Sequence, residues 1–277
     1  MTMVLTNMES IVTVAENKVK HDVSTVVVSW CRLNWTKFVA EVVATFLLIF
    51  LGCASCIPID GFDPMPPMYS PLTFGFAVLI NVQTFGHISG AHMNPCITLL
   101  SIFWGKISIV LGVCYFIAQV LGSTFASWVL LNVSPVDFVT EGVCVTQPHV
   151  RLEAWQAVFI EVVLTCTLCL VTCALWDPVN EKNQESTAIK FGLTVAGLSL
   201  AGGPLTGASM NPARTLGPAL VAGKWAAQWV YWVGPLLGTF IAGLYICLCV
   251  SLPNINYYYL LSNLYLRSLC NSEFKSQ

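Results

Sequence analysis

Two short polar phrases stand out in this apolar chain, because their residues could bind a ligand through hydrogen bonds. Gly90–Pro95 reads Gly-Ala-His-Met-Asn-Pro, and Gly207–Pro212 reads Gly-Ala-Ser-Met-Asn-Pro. Asn-Pro is a helix-start signal, since asparagine is a favoured cap and proline at the first helical position loses no needed hydrogen bond. Each phrase therefore predicts a helix N-terminus with a positive dipole end and an amide side chain. The repetition predicts that both copies point at one central site.

The elements that must position these phrases are membrane helices. Hydrophobic residues make up 56% of the 277 and charged residues only 9%, and the net charge of -2 gives no reason to expect a nucleic-acid partner. A bilayer-spanning helix takes about 20 apolar residues. Long apolar runs lie at about 38–58, 70–86, 107–131, 155–176, 188–203 and 228–252. Most of them reach this length, the fifth is short, and six spans are predicted. Two further apolar pieces, 96–104 and 213–222, are too short to span and follow the Asn-Pro pairs as half-helices.

The chain is a duplicated unit of three spans. Trp35–Glu41 has the same internal spacing as Trp155–Glu161, and Tyr115–Gly122 aligns with Tyr231–Gly238. An odd number of spans inverts the second copy, so the half-helices enter the membrane from opposite faces. Non-helical backbone at that depth is tolerated only where it is buried or lines a water-filled path. The two copies cover about 35–131 and 155–252.

Basic residues predict the orientation. On the side shared by both termini lie Lys18, Lys20, Arg32, Lys37, Lys106, Lys182, Lys190, Arg267 and Lys275. The other side has Arg151 and Lys224. This bias puts the tails, 1–34 and 253–277, in the cytoplasm, with the plasma membrane as the default address. Asn132-Val133-Ser134 then lies outside as a candidate glycosylation site.

The 12 cysteines predict neither a metal site nor a disulfide. In apolar helices cysteine behaves as a small hydrophobe. The cysteines within predicted spans include Cys53, Cys56, Cys166, Cys169 and Cys173. Cys144 lies in the outer loop with no evident partner. No converging zinc-ligand set is apparent, so no metal and no cofactor are expected.

These features together resemble the aquaporin (major intrinsic protein) family. The two Asn-Pro phrases, the second continuing as Ala213-Arg214, and the glutamates Glu41 and Glu161 carry the resemblance, which covers about 35–252. It implies an all-α membrane protein with six transmembrane helices and two re-entrant half-helices in an inverted repeat. It also implies a homotetramer in which each subunit has its own passive pore through the lipid bilayer.

The resemblance implies roles for single residues. Asn94 and Asn211 match the pore asparagines that donate to a passing oxygen, and Arg214 matches the arginine of the outer filter. His92 matches a residue lining the cytoplasmic vestibule, with a packed histidine as the alternative. Glu41 and Glu161 match buried glutamates that hydrogen-bond the loops before the half-helices. The second motif, Asn211-Pro212-Ala213, is intact, whereas the first reads Asn94-Pro95-Cys96 and places a thiol near the pore midplane.

The family's spacing places the selectivity filter at Phe74, Ser199, Ala208 and Arg214. Water-only members usually have a histidine where Ser199 stands, so the filter is expected to be wider and to admit glycerol or urea. Thr215 and the pair Tyr231-Trp232 are typical of water-type members instead. The combination resembles an insect group that evolved glycerol and urea conduction from a water-type ancestor. A water-selective channel is the alternative.

Other classes of protein fit the sequence less well. We find no nucleotide loop, metal cluster or nucleophile–base pair, so an enzyme is not expected. An active transporter would need an ion-coupling carboxylate near the site, and both buried glutamates are better explained as scaffold. A structural or adhesion membrane protein is disfavoured by the intact pore asparagines and arginine.

Overall fold

The computed structural model describes residues 2–58 and 66–249, and regular structure in these residues is helical. The helices are α1 (Thr2–Ala54), α2 (Tyr69–Ser89), α3 (Pro95–Phe103), α4 (Ile109–Val133), α5 (Phe138–Glu141), α6 (Ala154–Trp176), α7 (Thr187–Thr206), α8 (Pro212–Ala222) and α9 (Val230–Cys249). A 3-10 segment, Pro178–Ser186, joins α6 to α7. The predicted C-terminal tail, 253–277, lies outside the described residues.

The predicted membrane helices are present. Five helices in the described part of the chain are long and apolar enough to cross a bilayer: Val28–Ala54, Tyr69–Ser89, Ile109–Val133, Ala154–Trp176 and Gln184–Thr206. The sixth, α9, has a shorter apolar stretch, Val230–Tyr245, in its described part. Helix α1 passes residue 35 without a break, so the boundary between the predicted tail and the channel domain is not a helix end.

Each Asn-Pro pair starts a short helix, as predicted. Asn94 caps α3 with an extended backbone, and its Oδ1 accepts from the Cys96 N–H at 2.9 Å. Asn211 caps α8 in the same conformation, and its Oδ1 accepts from the N–H groups of Ala213 and Arg214 at 3.0 and 3.1 Å. These bonds satisfy N–H groups that a helix N-terminus leaves without intrahelical partners.

The helix packing repeats in the two halves. Helix α1 packs on α4 as α6 packs on α9, and α8 packs on α4 as α3 packs on α9. Equivalent glycines permit the first contact, since a Cβ at Gly122 would overlap the Val42 carbonyl and a Cβ at Gly238 the Val162 carbonyl. Small residues allow close approach of membrane helices. The fold is therefore an inverted repeat in which each half-helix closes against the other half of the chain.

The expectation that Cys144 has no partner was wrong. It forms a disulfide with Cys53, 91 residues earlier, and the two Cα atoms are 5.2 Å apart. The sequence pattern places Cys53 at the outer end of the first span and Cys144 in the outer loop. It does not predict the path of that loop, which brings the two cysteines together. Both positions lie on the side predicted to be outside the cytoplasm, where disulfides form.

The candidate glycosylation site lies at a helix end. Asn132 is exposed in the last turn of α4, and its Nδ2 donates to the Trp128 carbonyl at 2.7 Å. Glycans attach at this nitrogen, so modification would replace a local helix contact rather than disturb the core.

Candidate functional site

One cavity of about 400 Å³ contains the predicted pore residues. Its lining includes Phe74, His92, Asn94, Ser199, Ala208, Asn211 and Arg214. They come from α2, α7, α8 and the segments that precede α3 and α8. The tertiary structure thus brings together residues that are far apart in the sequence, but it leaves out the residue whose side chain was predicted to lie near the pore midplane.

That residue is Cys96. Its side chain is fully buried and does not line the cavity. It faces α9 and α6, beside Thr239 and Cys169. The first position after Asn-Pro points to the rear of the half-helix, so the expectation of a thiol at the pore midplane was wrong.

The two asparagine amides are cross-connected between the repeats. The Nδ2 of Asn94 donates to the Met210 carbonyl at 2.8 Å, and the Nδ2 of Asn211 donates to the Met93 carbonyl at 2.8 Å. A carboxamide nitrogen carries two N–H groups. Each amide therefore fixes its orientation with one N–H and keeps a second for an oxygen in the cavity.

The segments before the half-helices have a left-handed backbone. The φ angles are 48° at Ala91 and 53° at Met93, and 46° at Ala208 and 53° at Met210. This conformation costs about 1–2 kcal/mol at a residue with a side chain. Such backbone persists only where its surroundings fix it, and here two buried carboxylates do so.

Glu41 fixes the first segment. Its Oε1 accepts from the His92 N–H at 2.8 Å and from the Ser89 hydroxyl at 2.7 Å. Its Oε2 accepts from the Met93 N–H at 2.9 Å and from Nε2 of Gln119 at 3.0 Å. A carboxylate with four donors is compensated for the loss of water.

Glu161 fixes the second segment in the same manner. Its Oε1 accepts from the Ser209 N–H at 3.0 Å and from the Thr206 hydroxyl at 2.7 Å, and its Oε2 accepts from the Met210 N–H at 2.8 Å. Both oxygens of each carboxylate are thus bonded to the scaffold, and neither glutamate is among the residues that line the cavity.

Two residues of the predicted filter, Phe74 and Arg214, are in contact, and Ser199 and Ala208 line the same cavity. The guanidinium carbon of Arg214 is 4.9 Å from the Phe74 ring centroid, and its Nη1 donates to the Cys144 carbonyl at 2.6 Å. Phe74, Ser199 and Arg214 are each only 8% exposed. Arg214 thus presents a fixed positive charge and donors to the cavity, next to the aromatic face of Phe74.

His92 also lines the cavity, and it lies among aromatic side chains. Its Nδ1 is 3.2 Å from the Thr98 hydroxyl, and its ring centroid is 5.2 Å from that of Tyr115 and 6.1 Å from that of Trp176. The ammonium of Lys106 lies 5.3 Å from the Trp176 ring centroid, and partial burial lowers the pKa of that lysine. His92 therefore lines the cavity and is also packed against aromatic rings, and its place in a cytoplasmic vestibule stays a prediction.

Sequence reasoning missed two supporting groups. Nε2 of Gln119 donates to the Thr98 hydroxyl at 2.8 Å, which links Glu41 to the His92 side chain. Thr215 contacts the hydroxyls of Ser209 and Thr146 beside Arg214. A buried glutamine in an apolar span was the available signal for the first. The second depends on the path of the outer loop, which local spacing does not encode.

Nothing in the described residues suggests a metal site. No three His, Cys, Asp or Glu side chains converge within residues 2–58 and 66–249. The donors that face the cavity are amide and guanidinium N–H groups, which bind neutral oxygen atoms rather than cations.

Comparison with known proteins shows similarity to one family of membrane channels. A sequence model of the family described as Major intrinsic protein matches residues 28–246. The chain is 38% identical over 217 residues to aquaporin-4 of Mus musculus, an alignment that covers 77% of this chain and 67% of that relative. It is 37% identical over 215 residues to the probable aquaporin TIP-type RB7-18C of Nicotiana tabacum, covering 74% of this chain and 84% of that one.

The fold matches a solved structure as well. The X-ray structure of the aquaglyceroporin from Plasmodium falciparum superposes with a TM-score of 0.64 at 22% sequence identity. The match covers 78% of this chain and 96% of that chain. At this identity the likeness shows the fold and nothing more specific.

Proposed function

This chain belongs to the major intrinsic protein family, and we propose from that premise that it conducts water together with small neutral solutes such as glycerol and urea. As an aquaporin-type membrane protein it is a channel and not an enzyme. Conduction is passive, and the pore excludes protons and ions. The observation that carries the solute proposal is a serine, Ser199, in the wall of the cavity that Phe74 and Arg214 also line.

Physical chemistry supports this selectivity. A serine in place of a histidine removes the volume of an imidazole while it keeps a hydroxyl for hydrogen bonding. A polyol presents hydroxyls that pair with Arg214 and Ser199, and its carbon face suits the Phe74 ring. The resemblance to the insect group with a widened filter supports the same assignment.

Ion exclusion follows from the centre of the cavity. The N-termini of α3 and α8 place two positive dipole ends there, and the amide donors of Asn94 and Asn211 orient a passing oxygen. The buried charge of Arg214 adds a further barrier to cations. Thr215 and Tyr231-Trp232 favour a water-selective channel as the alternative.

The experiment that tests this proposal compares the flux of water with the flux of glycerol or urea in proteoliposomes. Volume change is followed by light scattering after an osmotic step with an impermeant solute, and then after an isosmotic step with glycerol or urea. We expect fast water and glycerol flux in the wild type, and water flux alone in Ser199→His. Fast water flux without glycerol flux in the wild type would identify a water-selective channel. Absence of both fluxes in correctly inserted protein would point to a structural role.

We also propose the assembly and placement that are usual in the family. The protein would form a homotetramer in the plasma membrane, with both termini in the cytoplasm. The lysine and arginine bias supports the orientation, and so does the Cys53–Cys144 disulfide on the opposite side. A molecular mass measured in detergent tests the tetramer, and protease protection of tagged termini tests the orientation.

A further inference from the structure

The disulfide between Cys53 and Cys144 joins the two chain segments that contact Phe74 and Arg214. The Cys53–Cys144 disulfide joins the last turn of α1 to the segment between α5 and α6. The Cys144 carbonyl accepts the 2.6 Å hydrogen bond from Nη1 of Arg214. Gly52 precedes Cys53 in the chain. The Phe74 ring lies so close to Gly52 that a Cβ atom at Gly52 would overlap the ring. The disulfide therefore connects the chain segment behind Phe74 to the one that fixes Arg214.

The backbone of Cys144 needs such a restraint. Its φ angle is 64°, in the left-handed region that disfavours a residue with a side chain. This conformation aims the carbonyl at Arg214 while the Sγ reaches Cys53. Cys144 is buried, with only 8% of its surface exposed. Release of the side chain would allow the backbone to relax and the carbonyl to turn away.

The other contacts of the segment around Cys144 are either local or made to the second repeat. The Val143 N–H donates to the Phe138 carbonyl at 3.2 Å and the Val145 N–H to the Gly142 carbonyl at 3.0 Å, which are local bonds. The Thr146 hydroxyl donates to that of Thr215 in the second repeat. The disulfide adds an anchor in the first repeat, and so relates the position of the loop to α1.

We propose that Cys53 and Cys144 are positioning residues for the selectivity filter, and that reduction of their disulfide changes which solutes pass. This inference rests on the proposed channel function and adds a redox dependence to it. Without the Cys144 carbonyl as a fixed acceptor, the Arg214 guanidinium moves into the lumen and forms hydrogen bonds with other oxygen atoms. Glycerol fills the filter more completely than water does, so its permeability falls more.

Reduction of the Cys53–Cys144 disulfide requires an external reductant, which supplies two electrons. A phosphine such as TCEP cleaves the S–S bond, and water supplies the oxygen that converts the phosphine to its oxide. Two protons and two electrons are taken up by the sulfur atoms, which leaves two thiols. The phosphine is added to the outer medium, where the proposed orientation places this loop.

The test uses the full-length protein in proteoliposomes. Free thiols are first blocked with N-ethylmaleimide, TCEP is added, and a second maleimide counts the newly freed thiols by mass. We expect glycerol permeability to fall about fivefold after reduction, the factor that about 1 kcal/mol represents at 25 °C, with a smaller fall for water. Re-oxidation should restore the original ratio of glycerol to water permeability.

Two variants sharpen the result. The double variant C53S/C144S should have the ratio of the reduced wild type and should not respond to TCEP. Cys56→Ser, which removes a free thiol one turn from Cys53, should respond like the wild type. An unchanged ratio in wild-type protein with both thiols demonstrably freed would overturn the proposal, and this holds even if the double variant fails to fold.

The two proposals fail in different ways. If the wild type passes no glycerol before reduction, the solute assignment is wrong, and water permeability becomes the readout for the disulfide. A fall in water flux on reduction would then still support the positioning role. A water flux that does not change would overturn it.

Discussion

Arg214 lies over the face of Phe74, with 4.9 Å between the guanidinium carbon and the ring centroid. This separation is within the range of a cation–π interaction, which is stronger for partners removed from water. Phe74 belongs to α2 in the first repeat and Arg214 to α8 in the second. The part of the cavity wall that these two residues form is thus a contact between the two copies of the duplicated unit.

Removal of the Phe74 ring should widen this contact. We expect Phe74→Ala to raise the ratio of glycerol to water permeability, because the ring is the largest side chain of the filter. Phe76→Ala is the matched control, since Phe76 lies on the same helix but is 54% exposed, away from the cavity. Light-scattering permeabilities of the two variants decide the matter. Equal ratios in both would mean that Phe74 does not limit passage.

Asn211 should be sensitive to loss of its donor. In Asn211→Asp the carboxylate can still cap α8, but it faces the Met93 carbonyl without an N–H to donate. Two facing oxygens repel, so we expect water permeability to fall about tenfold, the equivalent of about 1.4 kcal/mol. The added negative charge should also permit a cation leak, measurable as current in planar bilayers. Asn132→Asp, at the exposed end of α4, should leave both quantities at wild-type values.

Glu161 should matter for stability as well as for flux. In Glu161→Gln the amide keeps one acceptor, but its nitrogen opposes the N–H of Ser209 or Met210. Loss of a hydrogen bond to a charged group costs about 1.5–3 kcal/mol. We expect a lower midpoint of thermal unfolding in detergent and slower water flux. Glu185→Gln, at an exposed position, is the control. An unchanged midpoint would contradict the scaffold role.

Mercurials should inhibit the wild type only weakly and slowly through Cys96. This thiol is buried behind α3 and does not line the cavity. Ala208 does line it, so Ala208→Cys should introduce rapid, strong inhibition by mercuric chloride that a thiol reductant reverses. Stopped-flow water permeability measured over time separates the two rates. Rapid inhibition of the wild type that disappears in Cys96→Ser would show that the thiol is reachable from the pore.

Local signals predicted the elements of this fold well. The pairs Asn94-Pro95 and Asn211-Pro212 start the half-helices, because capping and the geometry of proline act over a single turn. The membrane helices follow from the length of each apolar run, since a bilayer sets how many residues must be apolar. The near-equal spacing of the repeats fixes the inversion, because an odd number of spans reverses direction.

Contacts between distant segments were not readable in this way. The sequence pattern identified Cys144 and Cys53 as apolar or unpaired residues, and it placed Cys96 in the pore. Whether a cysteine meets a partner depends on the path of a loop, and whether a side chain faces the cavity depends on the rotation of a short helix against its neighbours.

By itself, the sequence determined the membrane helices, the half-helices and the inverted repeat, because each of these depends on residues within one run or on the spacing between equal runs. Only the tertiary structure decided that Arg214 lies over Phe74, that the Cys144 carbonyl fixes it, and that Cys96 points away. These arrangements need hydrogen bonds and packing between segments that are remote along the chain. Such contacts form only when the two repeats close around one cavity.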